Sequence, residues 1–184
     1  MNSDATGVSP GTLTHSLQTH SRLKQAKKIE NDMQFVEFIL GHDYFAINLF
    51  HTREVISPPE ITPLPNTPDY IRGIIDLRGS VTTIIDLKKL MNLSDENGMK
   101  NRSRIIILDN TQLQKPVGIL VDDVASVSTY QSTEIDRTST DSQQNSRNIL
   151  GVIRKMQKNG DNESQKLILW LDIKAIRDSI ESYL

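Results

Sequence analysis

The side chains in this sequence that could carry chemistry are few, and their spacing does not suit it. The four histidines (His15, His20, His42 and His51) include no HxH or HExxH pair, so no two imidazoles are set to share a zinc ion. Cysteine is absent, which removes thiol nucleophiles, disulfides and cysteine-ligated zinc or iron–sulfur centres. None of the nine glycines falls into GxGxxG or GxxxxGKS/T spacing, and there is no GxSxG elbow. Asp122 and Asp123 are adjacent acids in a strand-like stretch. Consecutive strand residues point to opposite faces, so these carboxylates do not converge as an acid/base dyad or a metal site, and a solvated strand end is expected. Trp170, the single tryptophan, stands in the run Leu167-Ile168-Leu169-Trp170-Leu171 and is expected to pack in a core. These patterns predict no catalytic residue, no metal site and no cofactor.

A binding surface is a better match to the residues between Asn66 and Leu87. On a strand Ile74-Ile75-Asp76-Leu77, period-two alternation puts Ile75 and Leu77 on one face and Ile74, Asp76 and Arg78 on the other. An apolar side chain beside a charged pair on an outer face can anchor and orient a partner. The spacing is equally compatible with Arg78 closing a salt bridge within the turn.

The elements that must hold these residues are bounded by composition. The chain has 184 residues, of which 36% are apolar and 24% charged, with a net charge of −2. That length suits one domain or two very small ones. No apolar stretch approaches the roughly 18 residues needed to span a bilayer, so no membrane insertion is expected. Near-neutral charge argues against nucleic acid as the principal partner. Met1 to Asn31 lacks the apolar segment of a secretory signal and is rich in Ser and Thr. Such a composition buries too little to offset ordering entropy, so residues 1–32 are expected to be a disordered tail, with Leu13 and Leu17 at most starting a weak amphipathic helix. The expected setting is the cytoplasm.

From Met33 onward, short apolar runs alternate with turn residues. Gln34–Leu40 and Tyr44–Leu49 flank Gly41-His42-Asp43 as a hairpin. Ile56–Pro68, with five prolines, cannot be helical. Thr67-Pro68-Asp69 is set as the cap and first turn of a very short helix stopped by Gly73. A hairpin about Arg78-Gly79 follows, then an Asp86-capped helix and a polar linker near 92–104. The second half repeats this grammar: runs at 104–108, 117–121 and 124–127, a long loop over 138–148, and a hairpin with Asn159-Gly160 as its turn. Asp172 then caps a final helix with Ile173, Ile176, Ile180 and Leu184 on one face. Ile84-Ile85-Asp86-Leu87-Lys88 and Trp170-Leu171-Asp172-Ile173-Lys174 close the two halves alike. The fold expected is all-β: an internally duplicated unit of about five strands, each half a small closed barrel. Neither half alone buries a large core, so the barrels should share one, with the terminal helix packed across it.

At these residues the sequence resembles a known family. Asn66-Thr67-Pro68-Asp69-Tyr70-Ile71-Arg72-Gly73-Ile74-Ile75-Asp76-Leu77-Arg78-Gly79, running on to Ile84-Ile85-Asp86-Leu87, is similar to the signature of the CheW family of chemotaxis coupling proteins. Tyr44–Ile47 through Arg53-Glu54-Val55-Ile56 looks like that family's first hairpin and its exit, and Val117–Val124 like its second-half strand pair. The similarity runs over residues 33–184. It implies two five-stranded Src-homology-3-like barrels with a few short helices and a C-terminal helix. It further implies a non-catalytic scaffold between the cytoplasmic tips of methyl-accepting chemoreceptors and the regulatory domain of the histidine kinase CheA. Other CheW-like proteins would be neighbours in the receptor array. By this resemblance the turn arginine is Arg78, the signature glycines are Gly73 and Gly79, and the exit glutamate is Glu54. Receptor contacts are then expected near Thr52, Glu54, Gly73 and Arg78, and kinase contacts at Ile119 and Val121. An adaptor of a twitching-motility or other non-flagellar chemosensory system is the alternative. The related arrangement with an added receiver domain is not expected, since the chain ends after the second barrel. The sequence departs from the family pattern at Asp76 (usually Asn), Thr83 (usually Pro) and Thr52 (usually aliphatic).

Overall fold

In the computed structural model, which describes residues 32–93, 102–109, 115–137, 148–159 and 162–181, the apolar runs form eleven strands. In order these are β1 (Asp32–Leu40), β2 (Asp43–Asn48), β3 (Thr52–Ile56), β4 (Ile71–Leu77), β5 (Ser80–Asp86), β6 (Arg104–Leu108), β7 (Val117–Val121), β8 (Asp123–Gln131), β9 (Ile135–Asp136), β10 (Ile149–Asn159) and β11 (Asn162–Leu171). Two helices, α1 (Leu87–Leu90) and α2 (Ile173–Ile180), follow β5 and β11. Both start where the sequence says they should. The Asp86 carboxylate accepts the Lys89 N–H, and that of Asp172 accepts the N–H groups of Lys174 and Ala175, satisfying donors with no partner in a helix's first turn.

The strands form two sheets, ordered β8-β1-β2-β11-β10-β9 and β3-β6-β7-β5-β4. Each has five long strands; β9 adds two residues to the first. The duplication is visible in the pairing. In each sheet the strand before a capped helix runs parallel to the second strand of a hairpin, β11 beside β2 and β5 beside β7. The halves do not each close a barrel of their own, however. Hairpin β1–β2 joins β8–β11 from the second half, and hairpin β6–β7 joins β3–β5 from the first. The two halves exchange their hairpins, so the segment near 92–104 links elements of one sheet rather than separating two. The chain passes between sheets at Leu49–His51 and at Asp122 instead.

Alternation in the strands then builds three apolar clusters. Phe35, Ala46, Tyr130, Ile153, Ile168 and Trp170 fill the first sheet's own core, and Ile75, Ile84, Ile105 and Ile107 fill the second's. The opposite faces meet in a larger shared core containing Phe38, Phe45, Ile106, Ile119 and the buried face of α2, Ile173, Ile176 and Ile180. Trp170 is buried, with its ring edge-on to Phe35 at 5.2 Å, as the sequence led us to expect.

The segment after the prolines is not the expected short helix. Asp69 and Tyr70 form a turn closed by the Ile71 N–H on the Pro68 carbonyl, and Gly73 lies inside β4 at φ +141°. Its role is close approach: a Cβ there would lie 2.2 Å from the Thr62 carbonyl oxygen, where Thr62 and Ile74 exchange backbone hydrogen bonds. The proline-rich strap is thus pinned to the strand by the glycine that was expected to end a helix. The expectations for Leu13, Leu17, residues 94–101, residues 138–147, Gly160 and Leu184 lie outside the described residues.

Candidate functional site

The β4–β5 hairpin turns on Arg78 and Gly79, at φ +54° and +80°. A two-residue turn with both central residues left-handed matches the twist of its strands, but only glycine, asparagine and aspartate adopt it cheaply. Asp76 supports the turn by accepting the Gly79 N–H at 2.7 Å. An asparagine carbonyl could do the same, so the Asp76 departure preserves this contact. Arginine at a left-handed position carries strain, and such strain is a pointer to function.

The Arg78 guanidinium reaches from the turn to β3, where its Nη2 lies 2.9 Å from Glu54 Oε2. The partner is 24 residues away, so the salt bridge is not a local turn contact. The arginine side chain is 74% exposed and the glutamate 22%, which leaves the charged tip oriented yet open to solvent. Arg53, Glu54, Leu77, Arg78, Thr82 and Pro116 line a cleft at this place. A bulge in the β3–β6 pairing between Thr52 and Glu54 sets the direction of the Glu54 side chain. Phe50, on the preceding crossover turn, is 81% exposed, and Val55 and Val81 are exposed apolar residues on β3 and β5. Sequence reading passed over Phe50 because a lone phenylalanine in an apolar run normally marks a core position.

The expected contact residues divide sharply. Arg78 and Glu54 come together at the surface. Gly73 is buried beneath the Thr62 backbone, so it shapes the strand rather than touching a partner. Thr52 is partly buried, and its Oγ1 is enclosed with no hydrogen-bond partner. Thr83 gives its N–H to the Pro116 carbonyl at 3.0 Å, a bond that proline could not make. Ile119 and Val121 are at most 1% exposed, sealed in the shared core on β7, an interior strand of its sheet. Their side chains cannot meet a kinase without opening that core. The family resemblance placed them on a partner-facing surface, and a matching motif does not say which faces of its strand are covered.

Two polar clusters were not foreseen. Asp122, expected to be solvated, is 7% exposed; it pairs with Lys88 Nζ at 2.8 Å and accepts the Gly41 N–H at 2.7 Å. It therefore ties α1 of one sheet to the β1–β2 turn of the other. Inside the first sheet's core, Glu37 is 1% exposed and accepts from the Tyr130 hydroxyl at 2.5 Å and from Lys155 Nζ at 2.9 Å. Burial pushes the Glu37 carboxyl up, but hydrogen bonds from Ser128, Tyr130 and Lys155, with the Lys155 charge, outweigh it and hold the group below its ordinary value. Burial and the Glu37 carboxylate together push the Tyr130 hydroxyl up to about 12. A lone carboxylate in the run Phe35-Val36-Glu37-Phe38 was the available signal.

Comparison with known proteins bears on the same residues. The family model described as the CheW-like domain matches residues 34–181. The chain belongs to the CheW-like family. Chemotaxis protein CheW of Helicobacter pylori is 30% identical over 58% of this chain and 63% of its own length. The match therefore spans a little under two thirds of that relative. Chemotaxis protein CheW of Thermotoga maritima is 27% identical over 81% of this chain and 90% of its own. The crystal structure of scaffolding protein TtCheW from Thermoanaerobacter tengcongensis is similar with a TM-score of 0.63 and 29% identity, covering 77% of this chain and 84% of that one. A CheW-like fold of two β-rich subdomains agrees with the two sheets found here. Among the described residues, no helix is long and apolar enough to cross a membrane.

Proposed function

We propose that this CheW-like protein is a non-catalytic coupling scaffold in chemotaxis signalling, joining the cytoplasmic tips of methyl-accepting chemoreceptors to the regulatory domain of the histidine kinase CheA. It would act in the cytoplasm at the membrane-associated receptor array. The observation that carries the proposal is the exposed Arg78 guanidinium, held on a strained turn and aimed by Glu54 at a cleft that Leu77 and Pro116 also line. A fixed charge next to apolar surface suits a partner helix that offers a carboxylate and an apolar stripe. Coupling then follows from geometry. The exchanged hairpins and shared core make one body, so a receptor on one face and a kinase on another can bias each other's binding free energy.

The test is a pull-down of the full chain with receptor tip and CheA, in wild-type and Arg78→Glu forms. Reversal of a central contact should weaken assembly by about 2–4 kcal/mol. Unchanged capture of both partners would overturn the assignment of Arg78.

A further inference from the structure

Lys155 and Lys166 stand directly opposite one another on β10 and β11. Paired residues of an antiparallel ladder share a face, here the face on which Ile153 and Ile168 enter the first sheet's own core. Like charges in that relation repel. One carboxylate serves the pair, and it is already committed: Glu37 takes Lys155 Nζ at 2.9 and 3.2 Å together with the Tyr130 hydroxyl. Among the described residues no carboxylate lies within ion-pair distance of Lys166, whose Nζ sits 3.0 Å from the centroid of the Tyr44 ring. The residue is only partly buried.

We propose that Lys166 is a reactive lysine, a site of covalent acylation by small acyl phosphates. Loss of one proton to solvent frees the amine lone pair, which attacks the acyl carbon. The carbon–nitrogen bond forms, the carbon–oxygen bond to phosphate breaks, and phosphate departs with that electron pair while the second proton goes to solvent. The amide is neutral, so the product loses the repulsion across the ladder. Burial acts in the same direction by disfavouring the ammonium, as does the Lys155 charge, and together they outweigh the Glu37 charge. The face of the Tyr44 ring favours the ammonium, so the amine reacts after leaving that ring. Lys174, exposed on α2, has no such setting and serves as the internal reference.

The full chain is incubated with acetyl phosphate, digested, and each lysine's acetylation followed by mass spectrometry. Lys166 is expected to react at least about threefold faster than Lys174 near neutral pH, with the advantage shrinking towards pH ~10 as every lysine loses its proton. Lys155→Gln removes the opposing cation and leaves Glu37 to Lys166, so it should cut the Lys166 rate by about the same factor. Circular dichroism and Trp170 emission establish that this variant is folded. If it does not fold, the wild-type ratio and its pH dependence decide the matter. Lys166 reacting no faster than Lys174 across that range, or staying unmodified while Lys174 reacts, overturns the proposal.

Discussion

Arg78 Nη2 and Glu54 Oε2 lie 2.9 Å apart although Glu54 is on β3 and Arg78 sits in the turn after β4, the strands at opposite edges of the five-stranded sheet's order. The sheet must curl for β3 and β4 to approach, so this one contact reports barrel closure and fixes the site at the same time. Exposed ion pairs contribute little to stability, so the pair's value lies in aiming the guanidinium.

Arg78→Gly separates stability from function. Glycine is at ease at φ +54°, so unfolding by urea should show a protein unchanged or more stable by about 1 kcal/mol. Capture of the partner in the same pull-down should nevertheless fall as far as with Arg78→Glu. A stability loss above about 1 kcal/mol would mean that the guanidinium holds the fold together.

Thr52→Val tests the enclosed hydroxyl. The Oγ1 atom is buried without a partner, and replacing it with a methyl group should stabilise the protein by about 1 kcal/mol, raising Tm by about 2–4 °C. A lower Tm would show that the hydroxyl is satisfied in solution.

Asp122→Ala removes one partner of the largely buried Lys88 and the acceptor of the partly buried Gly41 N–H. A cost of about 2–4 kcal/mol is expected in urea unfolding. Asp122→Asn keeps an acceptor for Gly41 and should cost less. Equal costs for the two variants would place the whole effect on the Lys88 pair.

Glu37 gives the acid limb of stability a definite source. Its carboxyl is lower in the folded protein than its ordinary value of 4.5, so its contribution is present above pH 4.5 and is lost as pH falls through the folded value. Glu37→Gln should therefore be less stable than wild type at neutral pH, by about 1–3 kcal/mol given that Lys155 keeps some solvent, with the gap closing as pH falls through the lowered folded value. A gap independent of pH would assign the loss to packing.

Phe50→Ala removes an exposed ring and should change stability by less than about 0.5 kcal/mol. If the ring anchors a partner, binding measured by calorimetry should weaken by more than about 1 kcal/mol.

Local chemistry was legible in the chain. Asp86 and Asp172 cap helices because a carboxylate before an apolar turn has few other good conformations, and the Arg78-Gly79 turn was readable because glycine marks left-handed backbone. Gly73 misled for the same reason: a glycine tolerates a helix end and a tight backbone crossing equally well, and the Thr62 carbonyl that decides between them is contributed by a distant segment. Asp122 misled because strand alternation gives a face but not what covers that face.

The sequence by itself determined the strand runs, the caps, the hairpin turns and the repeated grammar of the two halves, since these depend on residues within a few positions of each other. Only the tertiary structure decided which hairpin pairs with which strands, that Ile119 and Val121 are sealed in the core, and that Glu37 and Asp122 are buried charges with partners. Those outcomes depend on contacts across 34 to 118 residues for the two acids, where no local period carries information. The exchange of hairpins follows the same rule. Either pairing satisfies the local pattern, and the shared core that selects one exists only once both sheets have formed.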